Sequence, residues 1–352
     1  MEAMGHEQVV FCYDRATGLK AIIAIHDTTL GPALGGCRMW PYASEEEALV
    51  DALRLARGMT YKHAAMGLNF GGGKSVIIGD PRRDKSEMLF RAFGQFVDSL
   101  GGRYITAEDV GTAAEDMAYV AMETRHVVGL PGRSGDPSPA TAYGVFRGIK
   151  ACLGEAFGDE SFQDRVVAIQ GLGHVGAQLA RLLHEAGARL VVTDIDPERA
   201  QRVAAEFGAQ VVPPEAIYDV ECDVFAPCAL GAILNDDTIP RLRCRIVAGS
   251  ANNQLAEPRH GEELARRGIL YAPDYVINGG GVIHVADEYG PGGYDRDRAF
   301  ARVATIYDKV KAILAMAREQ GITTAEAADR LAEQRIRAIA QLRRLHMPSR
   351  SP

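Results

Sequence analysis

No CxxC pair occurs among the six cysteines (Cys12, Cys37, Cys152, Cys222, Cys228, Cys244), so neither a disulfide framework nor a thiolate zinc site is expected. They read as reduced thiols of a cytoplasmic protein. The nine histidines include no HExxH and no Cys/His quartet, which leaves no candidate metal ligands. No run approaches about eighteen apolar residues, and the start, Met1-Glu2-Ala3-Met4-Gly5-His6-Glu7, has no basic region followed by an apolar one. Neither membrane insertion nor export is expected. Basic excess is missing as well, and a net charge of -7 argues against a nucleic-acid partner. Arg335, Arg337, Arg343 and Arg344 read as the solvated face and last turns of a helix, where cations suit the dipole.

What is present fits a soluble protein of two domains: 352 residues, 47% apolar and 24% charged, with no internal repeat or low-complexity tract. The feature that stands out is a pair of lysines, Lys62 and Lys74, the second ending the run Gly71-Gly72-Gly73-Lys74. Triple glycine is used where the main chain takes unusual dihedrals or comes close to a ligand. A lysine held there beside a second cation and away from water would lose its proton more easily and could act as a base. A bare Gly-Gly-Gly-Lys is read equally well as a surface turn ending in a solvated lysine. A phosphate-binding P-loop is excluded, since it needs a glycine five residues before Gly73 and position 68 is Leu68.

Around these lysines the chain alternates strand and helix patterns. Leu19 to His26 reads as a strand, and Ser44 with Glu47 forms a capping box opening a helix that ends near Lys62. Val76 to Ile78 reads as a short strand, which places Lys74 on the loop before it. A second helix is expected from about Lys85 to Leu100, and an extended Arg103 to Thr106 leads to Asp109, just past a strand end where sites in α/β sheets form. The Gly-, Pro- and Ser-rich stretch from Gly129 to Pro139 marks a domain boundary.

Beyond it, Val166 to Gln170, the run Gly171-Leu172-Gly173-His174-Val175-Gly176, a helix to about Glu185 and Leu190 to Asp194 form a βαβ unit with a dinucleotide fingerprint. Gly171 permits the turn, Gly173 the approach of the pyrophosphate, Gly176 the packing of helix on strand, and the helix N-terminus, from His174 and Val175, faces the phosphates. Asp194 can accept both ribose hydroxyls and would repel a 2′-phosphate, favouring NAD over NADP. Arg199 is close enough to pair with such a phosphate, but after Asp196-Pro197 it reads as a surface cation.

Several blocks in order carry a resemblance to a known family: AIIAIHDTTLGPALGGCRMW (21–40), EEEALVDALRLARGMTYKHAA (45–65), LNFGGGKSVIIGDP (68–81), GRYITAEDVGT (102–112), SPATAYGV (138–145), ECDVFAPCALG (221–231), VAGSANNQL (247–255) and YAPDYVINGGGVIHVADE (271–288). Over nearly its whole length the chain resembles the Glu/Leu/Phe/Val amino-acid dehydrogenases, most closely their leucine-acting branch. The resemblance implies reversible, NAD-dependent oxidative deamination of an L-amino acid to a 2-oxo acid and ammonia. It also implies two α/β domains with a cleft between: a substrate domain over residues 1–133, with 322–352 packing back on it, and a Rossmann NAD-binding domain over 134–321.

By the same resemblance Lys62 binds the substrate α-carboxylate, Lys74 activates water and Asp109 shuttles protons to and from the amine. Gly35 and Gly36 line the substrate loop, Asn278 lies near the carboxylate, and Thr141 and Asn252 lie beside the nicotinamide. Leu34, Ala107, Val282 and Val285 match the pocket lining; the glutamate-specific relatives carry a lysine and a serine where Leu34 and Val285 stand. An aliphatic substrate is therefore expected, leucine with valine and isoleucine. Alternatives are an enzyme for phenylalanine or another aromatic amino acid, and a non-catalytic NAD-binding sensor. The implied assembly is a homo-oligomer with small-molecule partners only. The chain departs from the family pattern at Cys37, His63, Gly279 and His284.

Overall fold

The computed structural model describes residues 5–290 and 292–345. The chain divides into two compact units. One comprises the chain through Asp136, Val285–Arg296 and the chain from Ala332; the other comprises Pro137–His284 and Asp297–Leu331. The last helix, Thr324–Leu345, thus begins in the second unit and ends in the first. No helix among the described residues is long and apolar enough to cross a membrane.

In the first unit β1 (Gln8–Asp14), β2 (Leu19–Asp27), β3 (Ala33–Leu34), β4 (Cys37–Trp40), β5 (Gly71–Ile78) and β6 (Tyr104–Ile105) form one sheet in the order β1-β2-β5-β3-β6, with β4 also on β5. Helices α1 (Glu45–Ala65) and α2 (Glu87–Ser99) cover its faces, and α3 (Ala114–Val120) follows. Why β2 is buried on both sides is visible in its alternation. Leu19, Ala21, Ile23 and Ile25 pack with Leu89, Phe90, Phe93 and Val97 of α2, whereas Ile22 and Ala24 pack with Ala48, Ala52, Leu53 and Ala56 of α1. Two-residue periodicity sends each set to its own helix.

Helix α1 starts at Ser44, whose hydroxyl accepts the Glu47 amide N–H at 3.1 Å. The Glu47 carboxylate reaches back one residue further than in a capping box and accepts from the amide of Ala43 at 2.9 Å. The small residues on the buried face of α1 let it sit unusually close to β5. A side chain on Gly72 would lie 2.1 Å from Thr60 Oγ1 and 2.4 Å from the Ala56 carbonyl, and one on Gly73 would strike the Tyr104 ring at 2.7 Å on the other face. The glycine run is therefore a strand squeezed between a helix and an aromatic ring, and β5 begins at Gly71. Lys74 stands inside that strand, where a loop was expected.

At the last turn of α1 the imidazole of His63 is fully buried and its Nδ1 donates to the Gly71 carbonyl at 2.8 Å. Burial, against the help of that carbonyl, pulls its pKa down to about 4 from the ordinary 6.5. The unfolded chain takes up this proton first, so stability is lost as pH falls from 6.5 towards 4. The loss amounts to about 2 kcal/mol by about pH 5. His63→Asn should lessen the acid-induced drop in thermal midpoint by a few degrees; an unchanged drop would show that His63 does not carry it.

The second unit holds α4 (Ser138–Phe157), α5 (His174–Glu185), α6 (Pro197–Phe207) and a parallel sheet, β12-β11-β10-β7-β8-β9, made of β7 (Val166–Gln170), β8 (Arg189–Thr193), β9 (Gln210–Val211), β10 (Val224–Pro227), β11 (Ile246–Val247) and β12 (Leu270–Tyr271). The order reverses at β7, the doubly wound arrangement in which ligands gather outside the strands' carboxyl ends. On the last helix, Arg335 differs from the expected solvated cation, because it is half-buried and donates to Asn69 Oδ1 at 2.8 Å. Arg337 pairs with Glu333 at 2.9 Å as a surface cation would. The side chains of Arg343 and Arg344, like residues Met1 to Met4, lie outside the described residues.

Candidate active site

The first unit brings together Lys74, Asp109 and the Gly35-Gly36 turn at one break in strand pairing. Along one edge of β5, β3 pairs with Gly71 and Gly72, and β4 pairs from Ser75 to Ile78. On that edge Gly73 and Lys74 have no ladder partner, because the chain turns from β3 into β4 through Gly35 and Gly36, while on the other edge they pair with Ile25 and Ala24 of β2. These two glycines allow close backbone crossing: a side chain on Gly35 would lie 1.8 Å from the Gly73 carbonyl, and one on Gly36 would lie 2.4 Å from the Glu108 carbonyl and 2.8 Å from Asp109 Cβ. Gly73 and Ser75 both meet Tyr104, so alternation along β5 sends Lys74 to the opposite face.

There its Nζ donates to Asp109 Oδ1 at 2.7 Å. Lys74 is 4% exposed and the Asp109 side chain 22%, so the amine is shielded from water while the carboxylate stays partly open. Asp109 is fixed by its own neighbours: its amide donates to Thr112 Oγ1 at 2.9 Å, and that hydroxyl donates to the Cys37 carbonyl at 2.8 Å. Burial alone would raise the Asp109 carboxyl, but Lys74 and then Arg38 outweigh it and hold it below the usual carboxylate range. Arg38 is the residue that the sequence reading missed; its Nε donates to Asp109 Oδ2 at 2.9 Å. The available signal was a single cation between Cys37 and Met39, two residues beyond the glycine pair.

Leu34 and Ala107 are buried beside this centre. Leu34 is in register with Gly72 and Ile105, and the Ala107 carbonyl accepts from the Cys37 amide at 2.8 Å. Lys62 is half-buried in the last turn of α1, the helix that packs on β5. Val285 is buried in the first unit, whereas Val282 belongs to the second, as do Asn278, Thr141 and Asn252. The departures Cys37 and His284 are both buried, and burial pushes the Cys37 thiol up to about 12. The His284 ring meets Phe300 edge-on at 6.3 Å.

In the second unit the glycine run sits at the carboxyl end of β7. Gly171 has φ +93, which favours glycine, and a side chain on Gly176 would lie 2.0 Å from the Gly171 carbonyl. Around Gly173 a side chain would meet nothing within 4 Å, and α5, which starts at His174 and Val175, has no side-chain cap. Its first-turn N–H groups thus suit an anion. Asp194, just past β8, accepts the Leu172 amide at 2.6 Å and the Asp196 amide at 2.8 Å. Arg199 pairs with Asp196 at 3.3 Å as a surface cation. Elsewhere in this unit Asn278 Nδ2 donates to Asn252 Oδ1 at 2.8 Å, and the buried Asn278 Oδ1 has no protein partner. Thr141 stands 2.7 Å from where a side chain on Gly281 would begin.

A Rossmann-type unit joined in one chain to a unit in which a buried lysine meets a carboxylate defines a two-domain α/β dehydrogenase. The family model described as Glu/Leu/Phe/Val dehydrogenase, dimerisation domain, matches residues 6–126, and the model described as Glutamate/Leucine/Phenylalanine/Valine dehydrogenase matches 132–198 and 192–344. The chain belongs to this family of amino-acid dehydrogenases. It is 62% identical to leucine dehydrogenase of Thermoactinomyces intermedius and 61% identical to that of Geobacillus stearothermophilus, in each case over 97% of this chain and 94% of the relative. Among solved structures it is similar to L-tryptophan dehydrogenase from Nostoc punctiforme, with TM-score 0.84, 51% identity, and coverage of 96% of this chain and 98% of that one.

Proposed function

We propose that the protein catalyses the reversible, NAD-dependent oxidative deamination of aliphatic L-amino acids, leucine foremost with valine and isoleucine, to the 2-oxo acid and ammonia. The observation that carries this reading is the Lys74–Asp109 contact of 2.7 Å, because a proton relay serves no purpose in a module that merely binds a dinucleotide. The leucine-acting relatives are also more similar to the chain, at 62% and 61%, than the phenylalanine- and tryptophan-acting ones, at 54% each.

NAD supplies the hydride acceptor for the substrate Cα. Gly171, Gly173, Gly176 and the start of α5 at His174 and Val175 would hold its pyrophosphate, Asp194 its ribose, and Thr141 and Asn252 its nicotinamide end. Lys62 would pair with the substrate α-carboxylate, with Asn278 nearby, while Gly35 and Gly36 border the substrate. Lys74 acts as the base that takes a proton from the water attacking the substrate iminium carbon. That proton crosses the short contact to Asp109, which delivers it to the departing amine; as the C–N bond breaks and the carbonyl forms, Lys74 takes the remaining hydroxyl proton and passes it to solvent. In the reverse direction the same two groups return it.

Asp194 is expected to set the cofactor. With Asp194→Ala the carboxylate no longer repels a 2′-phosphate, and the Leu172 amide loses its acceptor, so NAD use should weaken and the NAD/NADP preference ratio should fall substantially. Equal use of both cofactors by the unmodified protein would refute this. Self-association is proposed too. The sheet of the first unit has β1 as an edge strand, where Phe11 and Tyr13 are 61% and 62% exposed, within the segment matched by the dimerisation-domain model. Steady-state NADH formation with L-leucine is the experiment that tests the activity itself.

A further inference from the structure

We propose that Arg38 is a positioning residue for this reaction, anchoring Asp109 and standing as the permanent cation that lets the Lys74–Asp109 pair release and regain its proton. The inference rests on the reading of Lys74 and Asp109 given above. Arg38 splits its guanidinium between two carboxylates from different elements: Nε donates to Asp109 Oδ2 and Nη1 to Asp51 Oδ2, both at 2.9 Å. Asp51, on α1, also accepts from the Tyr42 hydroxyl at 2.6 Å. The other Asp109 oxygen takes Lys74 at 2.7 Å. Charges therefore alternate along one line, Asp51, Arg38, Asp109, Lys74, drawn from α1, β4, the segment after β6, and β5.

The two cations of this line are not equivalent. A guanidinium keeps its proton at any working pH, whereas an amine acting as a base must give its own up in every turnover. At that moment Asp109 would be a partly buried carboxylate without a counter-charge, which favours keeping the proton on the pair. Arg38 supplies the missing charge, bonded to the oxygen that Lys74 does not use. Asp51 acts in the opposite sense, because its negative charge makes protons nearby harder to lose. The other titratable groups around the line are Cys37, Tyr42 and Tyr104, with Glu108 bridged to Cys37 and Asp116 held by Lys85. The Cys37 thiol and the Tyr42 and Tyr104 phenols are all pushed upward by burial, so none of them replaces the charge of Arg38.

The test is the pH dependence of kcat/KM for L-leucine oxidation in Arg38→Gln, Arg38→Lys and Asp51→Asn, beside the Kd for NAD. Arg38→Gln should lower kcat/KM at least about tenfold near neutral pH, with the ascending limb moved about 1–2 units to higher pH and NAD affinity unchanged. Arg38→Lys should restore the position of the limb and part of the rate. Asp51→Asn should move the limb to lower pH, the opposite sign to Arg38→Gln. A limb unmoved in Arg38→Gln, or one that Asp51→Asn leaves in place or moves upward, overturns the proposal. Should Arg38→Gln fail to fold, Arg38→Lys and Asp51→Asn still carry the test of sign. Asp109→Asn separates the two levels. If it keeps full activity, the reading of the pair itself is wrong; if it is inactive while the Arg38→Gln limb stays put, only the role of Arg38 falls.

Discussion

Lys74→Ala should lower turnover of L-leucine by about 10²–10⁴-fold, the range for loss of a positioned base, and leave NAD binding nearly intact. The reason for the separation is physical. Lys74 belongs to the first unit, where its ammonium meets Asp109 at 2.7 Å, whereas the glycine turn and Asp194 belong to the second. The substitution also strips Asp109 of one of two cations that overcome its burial, so some loss of stability accompanies the loss of rate. Thermal midpoint and NAD affinity measured on the same sample distinguish the two effects. A variant that keeps more than about a tenth of the rate removes Lys74 from the role of base.

Glutamate should be oxidised with a kcat/KM a few powers of ten below that of leucine if, as proposed, Leu34, Ala107, Val282 and Val285 line the pocket, since none of them offers a cation to a γ-carboxylate. Leu34, Ala107 and Val285 are 1%, 7% and 7% exposed, consistent with positions that bury what they touch. Valine and isoleucine should follow leucine within about 1–3 kcal/mol, the value of a methylene in an apolar slot. Phenylalanine should be weaker, since its exclusion is steric. A comparison of kcat/KM for leucine, valine, phenylalanine and glutamate decides the matter. Preference for glutamate would refute the pocket assignment, while preference for phenylalanine would change the substrate and leave the proton relay standing.

Much of the architecture was legible because it rests on local pattern. The strand from Val166 to Gln170, the glycine turn and the helix to Glu185 were expected where they occur, since apolar alternation, glycine spacing and amphipathic period all agree there. The β5 strand was read too short for the converse reason. Glycine carries no strand propensity, and Gly72 and Gly73 are explained by Thr60, Ala56 and Tyr104, which reach them from distant parts of the chain. His63 and Arg38 were hidden in the same way. His63 is bonded to Gly71 and Arg38 to Asp51 and Asp109, contacts that exist only once α1, β4 and β5 have packed.

The central claim is that this chain moves a hydride from an L-amino acid to NAD and releases the nitrogen as ammonia. It is tested most directly by supplying purified protein with L-leucine and NAD at alkaline pH and following NADH, ammonia and 2-oxo acid together. The account predicts the three products in equal amounts, with NADH formation lost in Lys74→Ala. NADH formation that Lys74→Ala leaves unchanged, or NAD binding with no product from any aliphatic amino acid, would contradict it.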